Sequence, residues 1–342
     1  MEIKKLSALS SEDEIKKYWK YTDKVYISCV CITFNQKDYI RDAIDSFLAQ
    51  ETEYYFEIII HDDVSTDGTR DILLEYKNKY PSIIKLVLQD ENQYKLGKKI
   101  TPLAVSYASG EYIALCEGDD FWIDKQKLQK QITELEKNKN IKICFTSAYS
   151  LYPNGKVKVI NNYKNTYLVK FENIILGGGG YMPTASILIK REVYKELPLW
   201  FYSAPVGDYY IQMLGGLNGA IYLSDQTSAY RISSVGSWSS NRNINKINED
   251  YDRHLIALNF LFDGLGYNNS QHIKNNAICK IMLGKAHELI LKSKYFDAWK
   301  LIYEYYPKYQ YKSVKYVIYL YFPISMPFSK IISKLKNYTR VY

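Results

Sequence analysis

Two β-like runs in this chain end in acidic clusters, and that placement restricts the available folds more than any other feature. Phe56-Glu57-Ile58-Ile59-Ile60 leads into His61-Asp62-Asp63-Val64-Ser65-Thr66-Asp67-Gly68-Thr69. Tyr112-Ile113-Ala114-Leu115-Cys116 leads into Glu117-Gly118-Asp119-Asp120-Phe121-Trp122. Carboxylates gathered where buried strands emerge are unfavourable unless a cation or a hydrogen-bonding ligand neutralises them. Open α/β sheets bind their ligands at such strand ends. The pattern therefore predicts a metal and a nucleotide at the carboxyl edge of a sheet.

The surrounding periodicity fits an α/β class. Apolar runs of strand length at 25–33, 57–61, 83–88, 112–116 and 141–145 alternate with helical patterns. Ile40, Ala43, Ile44, Phe47 and Leu48 recur at the spacing of a core-facing helix, and Leu128, Ile132 and Leu135 mark another. Further helices are expected over 67–80, closed by Pro81, and over 102–108. Strands alternating with helices predict a mainly parallel sheet flanked by helices. Residues 1–23 read as a peripheral extension and 24–240 as the ligand-binding domain. An all-α C-terminal region is expected over 241–342, with an apolar stripe at Leu255, Leu258 and Phe262 and another at Ile281, Ala286, Leu289 and Ile290.

At 47% hydrophobic and 24% charged residues, the chain is globular rather than disordered. Its five cysteines lack metal-ligand spacing and read as buried, reduced thiols of a cytosolic protein. The start shows no signal peptide, and no apolar stretch reaches the ~20 residues that span a bilayer. After Glu304 there is no acid, whereas Lys308, Lys312, Lys315, Lys330, Lys334, Lys336 and Arg340 are basic. That asymmetry, with tyrosines interleaved, predicts contact with an anionic membrane surface; the alternative is a helical appendage packed on the domain.

Cys29-Val30-Cys31-Ile32-Thr33-Phe34-Asn35, Asp62-Asp63-Val64-Ser65-Thr66-Asp67-Gly68-Thr69 and Gly110-Glu111-Tyr112-Ile113 leading into Glu117-Gly118-Asp119-Asp120 resemble family 2 glycosyltransferases in order and spacing, over roughly 24–240. The resemblance implies a GT-A-like, Rossmann-type fold. It also implies an inverting transfer from a UDP-sugar to an acceptor hydroxyl with Mn²⁺ or Mg²⁺, in bacterial capsule, exopolysaccharide or lipopolysaccharide assembly. The acceptor would be a saccharide or lipid-linked saccharide, and the location cytoplasmic, peripheral on the inner face of the membrane.

Residue by residue, the resemblance assigns Asp119 to the metal and Glu117 to the metal or ribose, with Gly118 between them. The family usually has Asp at position 117. Alternation along an extended segment would put Glu117 and Asp119 on one side. Asp120 or Asp124 could instead cap the following helix. Asp63 would read the uracil imide, Asp62 would support its loop, and Thr33, Phe34 and Asn35 would line the pocket. Asp67 reads as the opening of a helix and His61 as a packing residue. Asp208, in Gly207-Asp208-Tyr209-Tyr210, is the candidate base, with a helix N-cap as the plainer account. Arg231 would pair with phosphate or brace a carboxylate. Lys98 and Lys99 read as a solvated pair that could touch phosphate. Many relatives carry His where this chain has Ser233. Gly177–Gly180 resembles an acceptor-side loop able to close over substrates.

Two other functions compete with this one. A sugar-phosphate nucleotidyltransferase would want a Gly-rich, Arg-containing loop after the first strand, and Asn35-Gln36-Lys37-Asp38 stands there instead. A non-catalytic protein binding membrane or nucleic acid would suit the basic tail. Carboxylates where phosphates must approach argue against nucleic acid.

Overall fold

The computed structural model describes residues 3–161, 163–232, 244–264, 271–310, 314–321 and 323–328. It divides into two compact units, Met1–Leu197 with Gly207–Ser237, and Pro198–Val206 with Trp238–Tyr342.

The first unit is built on a ten-stranded sheet. Its strands are β1 (Ile27–Thr33), β2 (Phe56–Asp62), β3 (Ile84–Leu88), β4 (Tyr112–Leu115), β5 (Phe121–Trp122), β6 (Ile143–Leu151), β7 (Val157–Ile160), β8 (Tyr167–Val169), β9 (Leu188–Lys190) and β10 (Ala220–Arg231). The main path runs β3-β2-β1-β4-β9-β6-β10-β5, with β7 on β6 and β8 on β10. Strands β3, β2, β1 and β4 are mutually parallel, and β10 is parallel to β6. The short β9 enters antiparallel between β4 and β6, so the sheet is mixed although mostly parallel. Antiparallel pairing needs no crossover helix, which suits a three-residue strand reached through tight turns.

Strand β1 is central and buried almost throughout, in keeping with its unbroken apolar run. The Ile40–Leu48 helix covers one face with Ile40, Ala43, Ile44, Phe47 and Leu48. Gly110 shows why its motif carries glycine: a Cβ there would lie 2.6 Å from the Ser28 backbone nitrogen. Its own amide donates to Ser28 Oγ at 2.9 Å, locking the start of β4 beside β1.

The N-terminal segment is tied into this unit. Ile15 is fully buried, and the Tyr80 hydroxyl donates to the Leu9 carbonyl at 2.6 Å. Glu12 accepts the Ser82 and Ile83 amides. One apolar position per turn docks a helix that its polar composition presents as external. All five cysteines are buried thiols.

The second unit is helical. Its elements include Ile244–Gly264, Gln271–Leu291, Tyr295–Tyr305 and Val314–Tyr321. Leu283, Ala286, Leu289, Ile290, Ala298, Ile302 and Tyr306 form its core. No helix among the described residues is long and apolar enough to cross a membrane.

Candidate active site

The end of β1 organises the site. The Asp63 amide donates to the Thr33 carbonyl at 3.1 Å from one side, and the Gly118 amide to the Ile32 carbonyl at 3.0 Å from the other. Both acidic clusters therefore flank one strand terminus, within about two strand spacings (~10 Å) of each other.

Glu117, Asp119 and Asp120 bring carboxylate oxygens within 4.8 Å of one another. They sit on a turn just past β4, where the Asp120 amide donates to the Glu117 carbonyl at 3.0 Å. The turn, rather than strand alternation, gathers them, and it adds Asp120 to the pair the sequence pointed to. Asp120 does not cap a helix: the next one, Lys127–Lys137, starts later, and Asp124 accepts the Gln126 amide at 2.9 Å. One Asp120 oxygen accepts the Arg231 amide at 2.9 Å, and the other is buried with no partner among the described residues. Burial, then Asp119 and Asp208, push the Glu117 carboxyl up to about 8. Burial, then Asp119 and Glu117, raise Asp120 strongly. Three crowded carboxyls, one with a bare buried oxygen, fit a hard divalent cation.

Gly118 has no room for a side chain. A Cβ would meet Gln36 Oε1 at 2.5 Å, Thr33 Oγ1 at 2.9 Å and Ile40 Cδ1 at 3.0 Å.

Asp62 and Asp63 are both buried. Asp62 Oδ2 accepts Arg70 Nε at 2.6 Å and the Ser65 amide at 3.1 Å, which makes Asp62 the brace of its loop. Asp63 accepts the Gln93 amide at 2.7 Å on one oxygen and the Tyr94 amide at 3.0 Å on the other. Its carboxylate thus already anchors the 93–94 backbone, with lone pairs left over for a base N–H. Asn35 (φ 52°) and Val64 (φ 69°) adopt left-handed backbone in the two loops facing each other here. The Asn35 amide donates to Ser65 Oγ at 2.8 Å, and Asn35 Oδ1 accepts the Thr66 amide at 2.8 Å. Strained conformations held by cross-loop bonds are typical of ligand loops, and β-branched Val64 is the costlier of the two. Thr33 is buried against Gln36, whereas Phe34 is exposed. Asp67 accepts the Thr69 and Lys37 amides, joining the Thr69–Lys79 helix to the loop after β1. His61 is buried and hydrogen-bonded to Gln89.

Asp208 is the first residue of the Asp208–Gly215 helix, with Gly207 at the cap position. Its side chain is exposed, and desolvation by the protein around it raises its carboxyl, against the Tyr209 amide at 2.9 Å and nearby Lys99. A Cβ on Gly179 would stand 3.8 Å from Asp208 Oδ2, which brings the glycine run to this carboxylate. The run is held in place: Gln212, on the same helix, donates to the Gly179 and Met182 carbonyls at 2.8 and 3.1 Å. Lys98 donates to Gln93 Oε1 at 2.6 Å.

Arg231 takes the bracing role. Nη1 donates to the Asp119 carbonyl at 2.5 Å, Nη2 pairs with Asp42, and the guanidinium lies 4.5 Å from the Phe121 ring centroid. Ser233 lies outside the described residues.

The sequence reading singles out Arg231 but not its neighbour Tyr230. Its phenol is pushed up to about 12, by burial first and then by the charges of Asp120, Glu117, Asp119 and Asp208. Its place next to Arg231, on a strand paired with β5 just after the acidic turn, was the available signal.

The profile of Glycosyl transferase family 2 matches residues 28–197. The UDP-Glc:alpha-D-GlcNAc-diphosphoundecaprenol beta-1,3-glucosyltransferase WfgD of Escherichia coli is 31% identical over 225 residues, 64% of this chain and 82% of that protein. An uncharacterised protein of Mycobacterium tuberculosis is 35% identical over 217 residues, 63% of this chain; the match spans 61% of that relative's length. Among solved structures, S. aureus TarS superposes with a TM-score of 0.59 at 17% identity, over 89% of this chain and 54% of TarS. Its 1-349 fragment in complex with UDP-GlcNAc gives 0.53 at 18% identity, over 83% of this chain and 88% of that one. These two likenesses show the GT-A fold.

Proposed function

Because the chain belongs to glycosyl transferase family 2, we propose that it transfers a sugar from a UDP-sugar to an acceptor hydroxyl, with inversion, in cell-surface polysaccharide assembly. The observation that carries this reading is the carboxylate group at Glu117, Asp119 and Asp120, facing Asp208 beside the end of β1. Asp63 would accept the uracil imide N–H, and Thr33, Phe34 and Asn35 would flank the base and ribose. Glu117, Asp119 and Asp120 would hold a divalent cation, which supplies positive charge next to the departing pyrophosphate when bound.

Asp208 takes the proton from the acceptor hydroxyl. The hydroxyl oxygen forms its bond to the anomeric carbon as the bond from that carbon to the β-phosphate oxygen breaks, and UDP leaves with the electron pair. A carboxyl raised by desolvation is the stronger base, which favours Asp208 for the role. Gln212 and the 177–180 turn shape the acceptor side next to it. WfgD is named for a diphosphoundecaprenol-linked acceptor, and a lipid-linked saccharide at the inner face of a membrane is the acceptor class proposed here.

The test is a UDP-sugar screen for UDP release with Mn²⁺. Asp119→Asn should abolish release. Asp208→Asn should leave UDP affinity within about 3-fold but lower turnover by ~10²–10⁴-fold. Wild-type turnover in both variants, or no UDP binding by the native protein, would overturn the reading.

A further inference from the structure

We propose that the second unit carries a membrane-docking face, formed by the outer side of the Tyr295–Tyr305 helix together with residues 317–321 and 323–328, and that it binds anionic lipid surfaces. The inference goes beyond the transfer reaction and does not depend on the sugar moved.

The segment carries large apolar side chains on two sides. Its inner side, Ala298, Ile302, Tyr306, Tyr319 and Met326, is buried in the helical core. Its outer side leaves Phe296 66%, Tyr321 71% and Ile324 82% exposed, with Tyr303 and Phe328 similarly open. The same outer side carries Asp297, Lys300 and Glu304, so it is a mixed surface, and large rings left open among these charges imply a second apolar environment. The outer rings form a continuous row: Phe296 and Trp299 are 6.5 Å apart at 17°, and Trp299 and Tyr303 are 5.3 Å apart at 32°. The row opens into a groove of about 600 Å³ lined by Trp299, Tyr303, Leu320 and Tyr321, with Glu304 and Lys308 at its polar edge. The Trp299 indole N–H donates to the Leu320 carbonyl at 3.2 Å, fixing the ring against the next helix.

The charges identify the occupant. Lys300 Nζ stands 4.4 Å over the Phe296 ring, and Lys308 Nζ 5.7 Å over Tyr305. After Glu304 the chain holds seven Lys and Arg and no acid. Aromatic and aliphatic side chains mixed with cations match the headgroup boundary of an anionic bilayer. A saccharide would use the groove, yet it would leave Val317, Ile318, Ile324 and Phe328 uncovered. No described helix can span a bilayer, so the face lies on the membrane.

Vesicle sedimentation of the full chain, without nucleotide or acceptor, tests this. The protein should pellet with 1:1 phosphatidylglycerol:phosphatidylcholine vesicles and at least ~10-fold less with phosphatidylcholine alone or in 0.5 M salt. Lys300→Gln with Lys308→Gln should weaken binding ~30-fold, at about 1 kcal/mol per cation. The exposed triple Phe296→Ser, Tyr321→Ser, Ile324→Ser should also lose binding, with an unchanged melting temperature showing that it folds. Native protein left in the supernatant, or a triple variant that pellets like native, overturns the proposal. So does a reversible dimer abolished by the triple variant while vesicle binding stays. UDP release, assayed separately, keeps failure of this idea distinct from failure of the transfer reading.

Discussion

Arg231 Nη1 donates to the backbone carbonyl of Asp119 at 2.5 Å, tying the end of β10 to the acidic turn. Its other nitrogen pairs with Asp42, which also pairs with Lys5 at 2.8 Å. One guanidinium thus joins the Ile40–Leu48 helix, the turn that gathers the carboxylates and the last strand. Lysine has no planar fork to hold two partners at once. Arg231→Lys should therefore weaken UDP–Mn²⁺ binding by about 10-fold and lower stability by roughly 1–3 kcal/mol. Calorimetric titration and thermal melts check this; unchanged affinity would show that the turn holds itself.

Gly118→Ala should impair nucleotide binding and destabilise the fold by roughly 1–3 kcal/mol, since the methyl overlaps Gln36 Oε1 and Thr33 Oγ1. The nearest contact is the tip of a flexible side chain. Adding Gln36→Ala should therefore recover part of the loss, measured as melting temperature and UDP affinity. Failure of this rescue would locate the constraint in the backbone.

The raised Glu117 carboxyl sets a pH dependence. Folded Glu117 keeps its proton up to about 8, whereas the unfolded residue releases it near its ordinary value of 4.5. Between those values the folded chain binds more protons than the unfolded chain, so stability falls as pH rises. Asp120 acts in the same direction. In EDTA the melting temperature should drop from pH 5 to 8, and Glu117→Gln should flatten the slope. Saturating Mn²⁺ should restore stability most at the upper end. A flat native profile in EDTA would contradict the crowding inferred for the turn.

Lys127 gives the opposite sign. It is fully buried, donates to Gln131 Oε1 at 2.6 Å, lies 4.5 Å from the Trp122 ring centroid, and is held down to about 8 by burial. Between about 8 and its ordinary 10.5 the unfolded chain binds more protons, so this residue's contribution to stability grows with pH. Lys127→Met removes that contribution. The native-minus-variant difference in melting temperature should therefore increase from pH 8 to 10; a constant difference would mean that the amine is hydrated.

Much of the fold was legible because each element carries its own periodicity. The Ile40–Leu48 stripe and the strand after Phe56 appear almost where the pattern puts them. The acidic turn was legible as chemistry but not as geometry. Alternation gave a reason to pair Glu117 with Asp119, while a turn hydrogen bond is what adds Asp120. Arg231 could be read two ways from sequence, because its partners Asp42 and Asp119 lie 189 and 112 positions away.

Local order in the chain determined which segments become strands and helices, and that carboxylates follow two of those strands. Those properties depend on side-chain spacing over a few residues, which the sequence states directly. Tertiary structure decided the rest: which carboxylates meet, that Asp208 joins them, and that Asp63 spends its oxygens on the 93–94 backbone. Burial and like-charge crowding come only from residues far apart in the chain, so the raised protonation of Glu117 exists only once β1, β4 and β10 are assembled.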